Sequence, residues 1–498
     1  MLNFDLITRI IFGRPNHPNI PNVRAARDDD LFFESLTRGT LVIGKPGVGK
    51  TVWLAMQALE YALTFPDRPI FSLDASGSFT DEFIKLVYQL PARRRELLSR
   101  RIILDRMGDP NYVVPMPFFS PEYELGYEEQ VQRVKQNYEK MNEQLMERTP
   151  IMSLCIRETL PELCRLLCAI QNEHGECWQI TEAKKLIIDQ SWLRIACNTY
   201  GNKVPESKWY FEKDFLGKHI SRHERELRTY ALRSILGGVE PRPIRARLGY
   251  NKPGWTPKEV IDKGLIVLIS GEELINQEQA QELLFTDMFS LILSQINKRI
   301  PHDPKNKHTL LVIDEVPMLI RIKGMAQEIG KVSPQYRSRR LQLIVVIQAL
   351  WQLADNLKEQ IWSLGNVTCF GVEDFREAYI ISQQLFKYEP KTVKLPARSE
   401  TGQPVIEQDR GQYLTATNWL QHLKKRECVL KRYIDEGEED PFVGYVEEIS
   451  EKPNIPLDEP LIEIKERLFK RRAIPVREAL EVINQRKMTS KPPQINNS

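Results

Sequence analysis

The chain has 498 residues, 42 % hydrophobic and 28 % charged, with 70 Lys and Arg against 67 Asp and Glu for a formal charge of +3. This composition describes a soluble globular protein longer than one ordinary domain, so two structural units with extensions and a large core are expected. The near-neutral balance excludes nucleic-acid binding through bulk charge and leaves any such contact to local patches.

From the N-terminus onward, no run approaches the roughly 20 apolar residues that span a bilayer. Leu6 to Phe12 is short and carries Arg9, so it reads as a small amphipathic helix, and no signal-peptide pattern is present. The expectation is a cytoplasmic protein with no integral membrane segment, brought to a membrane only by a partner. Residues 1–38 read as an N-terminal arm. Within it Gly13 to Asp30 carries Pro15, Pro18 and Pro21 and ends in Asp28-Asp29-Asp30, a linker or a segment that packs on a neighbouring subunit.

The apolar run Leu41-Val42-Ile43 is followed by Gly44-Lys45-Pro46-Gly47-Val48-Gly49-Lys50-Thr51 and then by Val52-Trp53-Leu54-Ala55-Met56. Strand, glycine-rich loop and helix are the context that turns a GxxxxGK[ST] match into a P-loop. A triphosphate packs several negative charges into a small volume, and successive backbone N–H groups surround it only where side chains do not intrude. The positive end of the following helix adds to the attraction. Gly44 to Thr51 are therefore the expected ATP-binding set, with Lys50 on the outer phosphates and Thr51 holding a Mg2+ ion.

Beyond the P-loop helix, Pro69 to Leu73 reads as a second buried strand with Asp74-Ala75-Ser76-Gly77 as its exit loop. A helix from Phe79 to Leu90, a basic helical stretch around Arg93-Arg94-Arg95 and a strand over Arg101 to Leu104 follow. Alternation of strands and helices indicates a parallel sheet covered on both faces.

From about Tyr123 to Leu236 apolar residues recur every three or four positions, as at Val131, Val134, Tyr138 and Met141, and the expectation is an all-helical insertion over 123–245. Cys155, Cys164, Cys168 and Cys177, with His174, raise the question of a metal site. Cys164 and Cys168 fall four apart on a leucine face, however, and no CxxC pair occurs, so buried reduced thiols are expected. Arg222, Arg225, Arg228 and Arg233 make the end of the insertion basic, as a solvated helix face or one that faces DNA.

The α/β pattern resumes at Gly264 to Ile269, with a long helix from Gln277 to Lys298 and then Thr309 to Ile313 running into Asp314-Glu315. Two carboxylates at the carboxyl end of a buried strand look like a Walker B pair, on the sheet edge where the P-loop also lies. Asp314 would hold the metal through water, and Glu315 would orient the attacking water, which makes the reaction a hydrolysis. A helix from Met318 and a strand over Leu343 to Ile347 come next. Gln348, at the end of that strand, should sit beside Glu315 and sense the terminal phosphate. Arg337, with Arg339 and Arg340, precedes the strand, and Arg337 is the choice for a cation supplied to the site of a neighbouring subunit.

A strand at Val367 to Phe370, a helix from Phe375 to Leu385, and short strands at Cys428 to Leu430 and Phe442 to Val446 complete the second half of the α/β region. Residues 451–498 read as a charged tail with one helix over Val476 to Asn484. The expected fold class is thus α/β, a RecA-like P-loop NTPase with a mainly parallel sheet over 39–122 and 246–450 and an inserted all-helical domain.

In this order, the motifs resemble the HerA and FtsK branch of P-loop ATPases and, within it, the motor part of type IV coupling proteins of the TraG and TraD type. The resemblance runs from Thr40 to Tyr445. It is carried by Gly44 to Thr51, Leu73 to Gly77, Ile103 to Pro110, Gly264 to Ser270, Asp314-Glu315, Arg337 ahead of Gln348, and Leu364 to Val367 leading into Glu373-Asp374-Phe375. It implies a hexameric ring that moves double- or single-stranded DNA through a central channel, with ATP hydrolysed between subunits, Arg337 acting in trans and Gln348 coupling nucleotide state to movement. The family usually carries two N-terminal membrane helices, which this sequence lacks. The expected function is an ATP-driven DNA translocase serving a mobile element, conjugation or defence, alongside other transfer or defence proteins. The alternatives are a helicase and a signalling or defence switch.

Overall fold

Apolar runs rich in Val, Ile and Leu bury both faces, which is the pattern of strands in the middle of a covered parallel sheet. In the computed structural model these runs are β1 (Gly39–Ile43), β2 (Ile70–Asp74), β3 (Ile102–Arg106), β5 (Ile266–Ser270), β6 (Thr309–Asp314), β7 (Leu341–Ile347) and β8 (Gly365–Phe370), while the short β4 (Tyr112–Val113) lies outside their sheet. The chain continues with β9 (Glu427–Lys431), β10 (Tyr433–Ile434), β11 (Gly437–Glu438), β12 (Phe442–Tyr445) and β13 (Ile474–Pro475). The structure describes residues 39–170, 176–314, 329, 336–353, 355–362, 364–386, 409–434, 437–438, 441–445 and 457–486. The N-terminal arm, His174, Glu315 and the helix expected from Met318 lie outside them.

Among the described residues nine strands form the main sheet, in the order β12-β9-β8-β1-β7-β6-β2-β5-β3. The seven from β8 to β3 run parallel, while β9 and β12 pair antiparallel on the β8 side. Two consequences matter for function. β7 lies between the P-loop strand β1 and the Asp314 strand β6, and the carboxyl ends of the strands are level, with Ile43 opposite Ile347 and Asp74 opposite Asp314.

The helices α1 (Lys50–Thr64), α2 (Ser78–Tyr88), α3 (Ala92–Arg101) and α4 (Tyr127–Met141) follow in chain order, and a buried helix over Glu278–Asn297 packs on α4. Between β4 and β5 the chain is a succession of helices. Polar side chains clamp this stretch to the helix Glu278–Asn297. Arg133 on α4 meets Asp287 at 2.5 Å and the Phe118 carbonyl at 2.8 Å, and Asn137 reaches Asp287 at 3.0 Å. Burial pushes the Asp287 carboxyl up, against the pull of the Arg133 guanidinium.

A second clamp joins β3 to the helix Arg242–Gly249. The Arg247 guanidinium donates to both oxygens of Asp105 at 2.6 and 2.9 Å, and Trp255 Nε1 donates to Asp105 Oδ2 at 2.9 Å. Asp105 and Arg247 are almost fully buried, so removing one leaves the other charged in a medium that solvates it poorly. Arg247→Leu is expected to cost about 3–5 kcal/mol, read as the midpoint of urea unfolding. A loss under about 1 kcal/mol would show that the pair is dispensable.

Three differences from the sequence reading have physical causes. Arg228 does not belong to the basic outer face: it is buried, donating to the Asp214 carbonyl at 2.7 Å and to Glu224 at 2.5 Å. A helix over Asp409–Gln421 occupies a stretch to which the sequence pattern assigns no element. The charged tail is not loose over 457–486. Besides the expected helix, Val476–Gln485, it forms a helix over Leu461–Phe469, β13 pairs with β4, and Lys465 reaches Asp81 at 2.6 Å and Glu272 at 3.1 Å. Arg106, in β3, holds Glu466 of this segment at 2.6 Å.

Candidate functional site

The loop between β1 and α1 turns sharply because glycines occupy the positions that other residues resist. Gly47 has a φ of 75° and Gly49 a φ of 105°, both in the left-handed region. At Gly44 an added β-carbon would lie 2.6 Å from Phe370 Cβ, and at Gly47 it would meet nothing within 4 Å. One glycine is thus required by packing against β8, while the other faces open space in which a ligand fits.

Lys50, the first residue of α1, is 9 % exposed. Its ammonium folds back over the loop and donates to the Gly44 carbonyl, and to the Lys45 carbonyl at 2.8 Å. The cation is therefore already held at the rim of the cradle by backbone oxygens. The opening turn of α1 carries no acidic residue and no side-chain cap, so its N–H groups remain available for an anion. The donor set and the open space at Gly47 fit a phosphate group.

Asp314 ends β6, 3 % exposed, and belongs to the same sheet edge as Gly44. Asp74, directly opposite it in register, is engaged otherwise: its carboxylate accepts from the N–H groups of Gly77 at 2.9 Å and Thr80 at 2.8 Å and so fixes the start of α2. Gln348 follows the last residue of β7 and is half-buried, next to the β1 end because Ile347 pairs with Ile43. Gly44 to Thr51, Asp314 and Gln348 are thus gathered at one edge of the sheet. Glu315 lies outside the described residues.

Arg337 is at the other edge. It stands in a short 3-10 turn before β7, and the whole of that strand, about 20 Å at the usual rise per residue, separates it from the Gln348 end. The edge around it is basic, with Arg299, Lys305, Lys307, Arg339 and Arg340 nearby in the loops that enter β6 and β7. Arg299 donates to the carbonyls of Lys307 and Arg339, both at 3.0 Å. His308 is driven down to about 4 by burial and by Arg68, Arg340 and Arg299.

Sequence reasoning missed the turn Lys424-Lys425-Arg426, which comes up against the P-loop from the β9 side. The Arg426 N–H donates to the Val48 carbonyl at 2.9 Å, and Lys45 N–H donates to the Gly371 carbonyl at 2.9 Å. A run of three cations is visible in the sequence, but nothing in it says which loop the run touches.

Among the described residues no group of three or more His, Cys, Asp or Glu side chains is placed to hold a metal ion. Burial pushes the Cys155 and Cys177 thiols up to about 11, which keeps them protonated at neutral pH. No helix among the described residues is long and apolar enough to cross a membrane.

Solved structures of a bacterial conjugative coupling protein share this architecture. The unbound monoclinic form of TrwBdeltaN70 is 15 % identical, over 86 % of this chain and 88 % of that chain, with a TM-score of 0.52. Its trigonal form in complex with sulphate is 16 % identical over 86 % and 89 %, with a TM-score of 0.53. The plasmid coupling protein TrwB in complex with ADP and Mg2+ is 16 % identical over 86 % and 88 %, with a TM-score of 0.54. At such identities the likeness is one of fold, that of a RecA-like P-loop NTPase. No protein-family model and no curated relative matches the chain.

Proposed function

We propose that the chain is an ATPase that moves DNA, of the HerA and FtsK kind and built like a conjugative coupling protein. The observation that carries the reading is the convergence of the P-loop, Asp314 and Gln348 at one edge of a parallel sheet. The fold shared with TrwB, solved with ADP and Mg2+, supports ATP and Mg2+ as the ligands. ATP supplies the phosphoryl group and Mg2+ offsets its charge. Lys50 exchanges its two carbonyl partners for phosphate oxygens, and the N–H groups of Gly47 to Lys50 surround them. Thr51 and Asp314 would hold the metal, which would supply charge to offset the phosphates. Glu315 orients the water that attacks, and Gln348 reports whether the terminal phosphate is present.

Glu315→Gln keeps the shape of the side chain and removes its basicity. Its kcat should fall by about 10²–10⁴ while the Kd for Mg-ATP stays within about threefold of wild type, a difference of under 1 kcal/mol. Turnover at the wild-type rate would remove Glu315 from the mechanism.

A chain with a single P-loop sheet moves DNA when several subunits act in turn, and a hexameric ring of this chain is the proposed assembly, with residues 123–245 as its helical insertion. The test is ATP hydrolysis with and without single- and double-stranded DNA, read alongside particle mass. Stimulation by DNA in a ring-sized particle is expected. A monomer whose hydrolysis ignores every nucleic acid would sink the motor reading.

A further inference from the structure

The turn before β9 contains a residue in a conformation that side chains resist. Arg426 has a φ of 73°, which glycine adopts without strain and other residues do not. The turn is tied on both sides. Arg426 N–H donates to the Val48 carbonyl, while Glu427 closes the turn through its N–H to the Lys424 carbonyl at 3.0 Å and through its side chain, which accepts from Lys424 N–H at 2.8 Å. A glycine would meet all of these backbone demands. Retaining an arginine where glycine fits better points to a use for its side chain.

The direction of use follows from what the side chain lies against. A β-carbon on Gly49 would stand 3.3 Å from Arg426 Cγ and 3.8 Å from its Cα. The aliphatic stem therefore runs beside Gly49, the residue that caps α1, where the N–H groups of the loop converge. Arg426 is half-buried, and the exposed Lys424 and Lys425 precede it.

Sheet order decides which end of a nucleotide this cation meets. Asp314 ends β6 and Gln348 follows β7, both on one side of β1, and the bond to be broken must face them. The turn carrying Arg426 leads into β9, on the opposite side beyond β8. The end of the nucleotide remote from the reacting phosphate is directed there.

We propose that Arg426 is a nucleotide-contacting residue supplied by the same subunit, its guanidinium taking the α-phosphate end of the bound nucleotide. The assignment rests on the nucleotide reading above. It makes the cradle two-sided: Lys50 and the metal ligands take the terminal phosphates, and Arg426 takes the end that ATP and ADP have in common.

The test is calorimetric titration of the full chain with Mg-ATP and with Mg-ADP, for wild type, Arg426→Gly and Arg426→Lys, together with melting of each protein without nucleotide. Arg426→Gly relieves the left-handed strain, so it should melt at or above the wild-type temperature. It should nevertheless bind ATP and ADP each about tenfold more weakly, the loss of one charge-assisted contact. Arg426→Lys should recover part of that loss. Unchanged affinity of Arg426→Gly overturns the proposal, and weakening toward ATP alone overturns the α-phosphate assignment. A lower melting temperature in Arg426→Gly with no recovery in Arg426→Lys marks a structural role and overturns it too. Wild-type protein that binds neither nucleotide sinks the nucleotide reading, whereas normal wild-type binding with an indifferent Arg426→Gly removes Arg426 alone.

Discussion

Lys50→Ala is expected to weaken Mg-ATP binding by at least about 30-fold and to take hydrolysis below detection. The magnitude is that of truncating one partner of a buried, hydrogen-bonded charge pair, about 2 kcal/mol at the low end. The Lys50 ammonium is held over the loop by the Gly44 and Lys45 carbonyls, so little further ordering of this side chain is required to meet a phosphate. Alanine removes the charge that offsets the phosphates. It also leaves the two carbonyls to water, which enters the loop and must be expelled when nucleotide binds. Lys50→Arg tests the geometry separately, because a planar guanidinium does not fit the two-carbonyl seat of a compact ammonium. Titration calorimetry reads the affinity. Wild-type affinity in Lys50→Ala would mean that the loop is not the nucleotide cradle.

The cradle is legible in the sequence because its physics is local: glycine spacing, an apolar run before it and a helix after it are all written within about 25 residues. The strands were legible for a similar reason, and Phe375–Leu385 was read with its boundaries intact. Strand order was not. Apolar runs carry no record of their neighbours, so the insertion of β7 between β1 and β6 emerges only from the pairings Ile43 with Ile347 and Ile313 with Val345. In the docked C-terminal segment the helix from Val476 is legible, whereas charge and proline obscure the one before it. Leu461, Ile464 and Leu468, then Val476, Ala479, Leu480 and Ile483, fall at helical spacing, and most of them are buried. Arg426 had none, since the φ of a residue in a Lys-Lys-Arg-Glu run is set by the loop it meets.

The position of Arg337 was derivable and has a sharp consequence. A residue that precedes a strand of a parallel sheet sits at the opposite edge from the residues that follow such strands. Arg337 therefore cannot reach the P-loop of its own subunit across β7, which is buried along its whole length. In the proposed ring a head-to-tail, heterologous contact would have to bring the basic edge of one sheet to the P-loop edge of the next. If Arg337 serves the neighbouring site, Arg337→Ala should reduce hydrolysis in the assembled form by about 10³-fold, the scale of an arginine finger, with Mg-ATP affinity little changed. Mixing decides between a role in trans and a general defect. A Lys50→Ala subunit has a dead cradle and an intact Arg337, while an Arg337→Ala subunit has the reverse. Assembled together, some interfaces join the intact cradle of one to the intact arginine of the other, and hydrolysis should return to a sizeable fraction of wild type although each variant alone has almost none. Absence of recovery in mixed particles of wild-type mass would rule out the trans assignment, as would full activity of Arg337→Ala by itself.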